Sequence, residues 1–266
     1  MVVAHAAWSA PPSVLVPAAL AAALFVHGWL RLRSRGRRDL ADWRRAALYA
    51  LGLAVVLGGL CTPIHSIGER HLLWVHMLQH VMIGDLGIAL MVAAVRGPLV
   101  MFLLPKRVIG TVARDRDVRA IASFLLRPPV AFSLWAANLA VWHIPYLYIQ
   151  AVLHPMLHDL EHACWMFAGL LVWTLLIDPG NHRRLSDAER IALAAAMFAC
   201  GQALTDVLVF AFHPLYGLYR GAYGFSALTD QKLAGLVMMA EQLVVLGTFV
   251  YLLLRPRVRA ARLVHA

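Results

Sequence analysis

The sequence predicts an all-α fold: a polytopic membrane helix bundle of seven transmembrane helices, amino terminus outside and carboxyl terminus cytoplasmic. Three observations predict it. The 266 residues are 61% hydrophobic and 14% charged, whereas a soluble domain carries roughly 45–50% apolar and about 25% charged residues. The apolar residues gather in seven continuous runs, each near the roughly 20 residues that a helix needs to cross a bilayer core of about 30 Å. The basic residues lie almost entirely on one side of those runs.

The expected spans cover residues 13–31, 44–62, 71–95, 121–143, 156–177, 189–212 and 230–254, within one domain over 1–266. The first has no basic segment ahead of it and an Arg-rich segment behind it. It therefore reads as a span and not as a cleavable signal. Pro128-Pro129 stands at the start of the fourth span and Pro145 closes it. Pro155 opens the fifth, and Asp178-Pro179-Gly180 stops it. Continuous apolar runs, in place of alternating ten-residue segments, exclude a barrel. The longest connection, about 96–120, is charged.

Orientation follows from the basic residues. The first connection holds seven (Arg31, Arg33, Arg35, Arg37, Arg38, Arg44 and Arg45). The third also holds seven (Arg96, Lys106, Arg107, Arg114, Arg116, Arg119 and Arg127). The fifth adds Arg183, Arg184 and Arg190, and the tail adds Arg255, Arg257, Arg259 and Arg262. The opposite side has only Arg70, Arg220 and Lys232. That split of 21 to 3 puts the arginine-rich side in the cytoplasm. The net charge of +10 is accordingly a topology signal and not a nucleic-acid footprint. The lipid bilayer is the expected surround, in a bacterial cytoplasmic membrane. Three cysteines without a CxxC pair exclude a disulfide scaffold or a zinc ribbon.

The histidines show the opposite bias. Ten of the thirteen (His5, His65, His71, His76, His80, His143, His154, His158, His162 and His213) fall in or beside the outer half. His27, His182 and His265 fall near the cytoplasmic side. Ionisable groups inside a span are costly and face the bundle interior or a water-filled cavity. His76 and His80 are four apart on the third span, and His158 and His162 repeat that spacing on the fifth, with His154 one turn ahead. Side chains four apart share one helix face, so each pair can reach one ion. The two pairs overlap in depth, and His143 stands at a compatible level.

These five histidines are the candidate metal ligands. Glu161, Asp206 and Asp230 are candidate carboxylates to orient the imidazoles. Met77, Met82, Met156 and Cys164 add soft atoms that suit copper, while imidazole alone suits copper, zinc or iron. Asp85 and Glu241 read either as an interior polar pair or as a proton path. Trp74, Trp142, Tyr146, Tyr148, Tyr216, Tyr219 and Tyr223 read as an aromatic belt at the outer interface.

Four ordered motifs resemble the membrane-integral CtaG family of cytochrome c oxidase assembly factors, associated with caa-type oxidases. They are His76-Met77-Leu78-Gln79-His80, the stretch Val141 to Tyr148 (VWHIPYLY), the stretch His154 to His162 (HPMLHDLEH), and Asp230 to Leu236 (DQKLAGL). The resemblance covers about residues 45–255. The chain departs from the family pattern at Gly87-Ile88, where a proline pair is expected, and at Met239, where an aromatic is expected. The resemblance implies an assembly role without turnover chemistry: helping a haem–copper oxidase acquire a metal centre, with copper as the metal and oxidase subunits as partners. The histidine pattern also admits a haem-binding redox protein or a zinc-dependent intramembrane hydrolase.

Overall fold

The computed structural model describes residues 7–264, and every element among them is helical. His5 and His265 lie outside the described residues. Six helices are long and apolar enough to cross a membrane, and a bent pair supplies the material for a seventh.

Helix α1 (Pro12–Ser34) begins with Pro12 at its first position, where a missing N–H costs no helical bond. Its buried residues Phe25, Gly28, Trp29 and Leu32 all lie towards its arginine-rich end. Helix α2 (Trp43–Cys61) is capped by Asp42, which accepts from the Arg45 N–H at 2.9 Å. At the other end of α2, Thr62 and Pro63 start a short helix, α3 (Pro63–Arg70), in a place the sequence left as a connection.

The third span is composite. It runs as α4 (Leu73–Val81), a π-helical turn over Met82–Leu86 and α5 (Gly87–Ala94). The π turn is wide, and its place in the middle of a span is one such turns commonly take at functional sites. It brings the Gly84 carbonyl against Gly169 so closely that a Cβ at 169 would run into it. Gly52 and Gly87 make a similar close approach between α2 and α5.

The connection after the third span carries three short helices: α6 (Leu99–Phe102), α7 (Lys106–Arg114) and α8 (Arg116–Leu125). The fourth span was expected as one helix over 121–143. Instead, α8 and α9 (Pro128–Trp142) meet at a bend of 67°. Pro128 drives Arg127 into an extended conformation (φ −72°, ψ 129°), and Pro129 removes a further N–H. Helix α9 then has 15 residues, roughly 22 Å at the α-helical rise.

The short helix α10 (Pro145–Leu153) leads into α11 (Pro155–Ile177), which is buried along most of its length, from His158 to Leu176. Helix α12 (Asp187–Phe210) opens on a reciprocal cap between Ser186 and Glu189. Helix α13 (Ala227–Val264) is the last. The core lies where α4, α5 and the π turn meet α11, with α9, α12 and α13 packed around them.

Candidate metal centre

Two helices carry the centre. The N-terminus of α4 is fixed by Asp230, whose two carboxylate oxygens accept the Leu73 and Trp74 N–H groups at 2.8 and 3.0 Å. One turn further, His76 and His80 project from α4 towards His158 and His162 on α11. The ring nitrogens of these four residues can be chosen so that all lie within 4.8 Å of one another. His76 Nε2 is 3.0 Å from His80 Nε2 and 3.2 Å from His158 Nε2. Four nitrogens at about 2.0–2.1 Å around a tetrahedral ion stand roughly 3.3 Å apart, so these separations are those of a ligand set. All four side chains are buried.

Hydrogen bonds on the far sides of the rings orient His76 and His158. Glu69 Oε1 lies 2.7 Å from His158 Nδ1. The Glu69 carboxylate stays ionised: burial alone would raise its pKa, but the hydrogen bond from His158 and the nearby His65 hold it below the ordinary value. An ionised carboxylate only accepts. His158 therefore donates from Nδ1 to Glu69 and turns its Nε2 towards His76.

His76 Nδ1 faces two phenols, Tyr148 at 2.7 Å and Tyr219 at 3.1 Å, which are themselves 2.7 Å apart. Tyr219 donates its proton to the Gly68 carbonyl at 2.9 Å, and burial pushes its pKa up so that it keeps that proton. Both phenols lie within hydrogen-bond reach of His76 Nδ1, so they orient the ring and turn its Nε2 to face His158 Nε2 at 3.2 Å.

Glu161 is fully buried, and its Oε1 is 3.7 Å from His80 Nε2. Neither oxygen accepts a hydrogen bond of ordinary geometry among the described residues. It places a carboxyl group beside the four rings. A second, shallower group shares His158: His65, Glu69 and His158 can present ligand atoms within 4.8 Å of one another. His65 Nδ1 accepts from Gln79 Nε2 at 3.0 Å, which leaves its Nε2–H towards Glu69 at 3.6 Å. His65 and Glu69 are about a quarter exposed, at 25% and 22%. Burial holds the His65 pKa below the ordinary imidazole value, and the Glu69 charge opposes that shift.

The remaining sequence candidates fall elsewhere. His143 stands outside the four-ring set. It packs edge-on against Trp165, with its Nδ1 on the Leu139 carbonyl at 2.8 Å. His154 is exposed and turns back to the Gln150 carbonyl. Asp206 pairs with Gln202 on its own helix at 2.7 Å. Asp230 caps α4 and orients no imidazole directly. Met77 is buried in the core, Met156 is 89% exposed, and Cys164 is a partly buried free thiol.

Sequence reasoning missed Tyr148, Tyr219, His65 and Glu69. It assigned the tyrosines to an interfacial belt, yet Tyr148, Tyr216 and Tyr219 are buried at 0%, 2% and 3% exposure, and only Tyr146 and Tyr223 are largely exposed. The His65-x-x-x-Glu69 spacing was the available signal for the other pair.

The family model for the cytochrome c oxidase caa3 assembly factor (Caa3_CtaG) matches residues 23–260. No curated protein and no solved structure matches the chain.

Proposed function

Because the chain belongs to the caa3 cytochrome c oxidase assembly-factor family, we propose that it handles copper, taking up Cu(I) outside the cytoplasmic membrane and holding it on His76, His80, His158 and His162. The copper is cargo, destined for a haem–copper oxidase subunit in the same membrane. The observation that carries this reading is the buried group of four imidazoles whose ring nitrogens can lie within 4.8 Å of one another, with the His76 and His158 rings oriented from behind by Tyr148, Tyr219 and Glu69. An all-imidazole set suits copper, zinc or iron, and the assembly role selects copper.

His65 and Glu69 form the mouth. They are partly exposed, and they share His158 with the buried set. A cation captured there passes inward when His158 exchanges its partner. A neutral His80 binds through Nε2 by carrying its ring proton on Nδ1, so no proton is released, and Glu161, with Oε1 3.7 Å from His80 Nε2, adds a carboxyl group beside the bound cation. The 21-to-3 split of basic residues orients the mouth outward.

The competing chemistries fit less well. Axial haem ligation needs a slot for the macrocycle between its histidines. Here the His76 and His158 nitrogens meet directly. A zinc hydrolase keeps an open position for water and substrate, whereas four buried rings close this set.

The test is copper analysis of detergent-purified protein after anaerobic Cu(I) loading. Wild type should retain copper, and a His76→Ala/His80→Ala protein should lose it. Equal copper in both would overturn the reading.

A further inference from the structure

The arginine-rich half of the bundle holds a groove that the copper reading does not use. It is a cavity of about 380 Å³ between α5, α11 and α13, a size within the roughly 300–1,000 Å³ of small-molecule sites. Helix α13 packs along α4 and more lightly along the π turn, with no comparable packing against α5 among the described residues. Ala89 and Ala93, one turn apart on α5, present only methyl groups to the gap.

The groove has a direction and a length. Its inner end lies at the level of Asp85, where Trp173 of α11 donates its indole N–H at 2.9 Å. Its outer end lies where the Gly97 N–H donates to the Pro179 carbonyl. The lining runs from Leu86 to Arg96 on one side and from Val244 to Pro256 on the other, about 15–18 Å at the helical rise. That is about half of a 30 Å hydrocarbon core, the depth of one leaflet. Val244 and Leu252, two turns apart on α13, are exposed at the rim, so the groove opens sideways.

The outer end is basic. Arg96 and Arg190 line the cavity, and no carboxylate does. The two stand together there: Arg96 precedes Gly97, and Arg190 is tied at 3.2 Å to Asp178, which precedes Pro179. Arg96 forms no ion pair among the described residues. Arg190 has a buried Nε–H with no acceptor. An apolar slot one leaflet deep thus ends in two guanidinium groups with hydrogen-bonding capacity to spare.

We propose that this groove binds one anionic phospholipid of the surrounding bilayer, with its phosphate at Arg96 and Arg190 and an acyl chain between α5 and α13. Basic pockets between membrane helices hold anionic headgroups in this way, and guanidinium matches phosphate geometry. A zwitterionic lipid offers the same chain but brings a positive group to a positive end. The site does not depend on copper being the cargo of the histidines.

The probes are phosphatidylglycerol and phosphatidylcholine with the same palmitoyl and oleoyl chains, added to the full chain in detergent and counted by native mass spectrometry. Wild type should retain one phosphatidylglycerol in preference to phosphatidylcholine, and salt should shrink the preference. Arg96→Gln should cut that preference by about fivefold, the worth of one arginine beside an anionic lipid. Ala93→Phe fills the groove and should abolish retention of either lipid. The headgroup comparison uses unmodified protein, so it stands however a variant folds. Equal retention of the two lipids by wild type would overturn the proposal. So would an Ala93→Phe protein that holds phosphatidylglycerol as wild type does, or a copurifying protein helix that occupies the groove and excludes lipid.

Discussion

The phenol oxygen of Tyr148 lies 2.7 Å from Nδ1 of His76. The two residues are 72 apart in sequence, and α10, packed against α11 and α9, carries the buried Tyr148 to His76. Tyr219 closes the triangle from the loop between α12 and α13. The triangle orients the ring of the histidine at the centre of the ligand set.

Replacing both phenols, Tyr148→Phe/Tyr219→Phe, removes both hydrogen-bond partners of His76 Nδ1. Loss of such supporting hydrogen bonds typically costs 10–100-fold in metal affinity. We expect a fall of about that size in Cu(I) affinity, measured by competition with a coloured chelator, with helicity retained. An unchanged affinity would show that the phenols do not support the ligand set.

Asp230 acts at one remove. It caps α4 from α13, two and three residues ahead of His76. Asp230→Ala removes a cap worth about 1 kcal/mol and leaves two N–H groups without their carboxylate. Melting in detergent should come earlier, and hydrogen exchange at Leu73 and Trp74 should accelerate. Unchanged exchange at those two amides would contradict the capping role.

The contrast between His76 and Tyr148 shows how much of the site was legible. His76, His80, His158 and His162 were readable because the i,i+4 spacing fixes a shared face before any tertiary structure forms. Two matched pairs on apolar spans have few places to go except towards each other. Tyr148 and Tyr219 were not readable. An aromatic near a span end is ordinarily interfacial, and only the turn at His143–Pro145 and the loop after α12 carry these rings inward. The bend before Pro128 was half legible: the proline pair was visible, but the 67° angle depends on how α8 lies. Nothing in the stretch Met82–Leu86 announced a π turn, whose Gly84 carbonyl packs against Gly169 on a helix distant in sequence.

That packing is testable at Gly169. A methyl there collides with the Gly84 carbonyl, which is backbone and cannot rotate away. Gly169→Ala should cost about 1–3 kcal/mol, or roughly 2–12 °C of melting temperature for a chain of this size. Gly247→Ala, where an added Cβ meets nothing within 4 Å, is the control and should melt like wild type. Equal melting of the two variants would mean that α11 can slide without loss.

Orientation is open to a simple measurement. Twenty-one basic residues on one side predict a cytoplasmic carboxyl terminus. A carboxyl-terminal fluorescent protein, which folds only in the cytoplasm, should glow. Alkaline phosphatase fused at the same place should be inactive. The reverse result would put the histidine mouth on the wrong side for uptake from outside.

The arginine-rich end carries a pH dependence of its own at Asp178. This residue ends α11 in a left-handed conformation (φ 48°) and accepts the His182 and Arg183 N–H groups at 2.9 and 2.8 Å. Arg190 pairs with it at 3.2 Å. Burial alone would raise its pKa, but the two N–H donors and Arg190 outweigh burial and hold it below the ordinary carboxylate value of 3.8. A carboxylate whose pKa is lower folded than unfolded stabilises the fold fully above the unfolded value. That contribution is lost as pH falls through the folded value. The melting temperature should therefore be insensitive to Asp178 near neutrality and should fall only below about pH 4. Asp178→Asn keeps the shape but removes the charge. It should melt lower than wild type at neutral pH, and the gap should narrow as acid neutralises the native carboxylate. A gap that stays constant from pH 7 to pH 3 would assign the stabilisation to hydrogen-bond shape and not to charge.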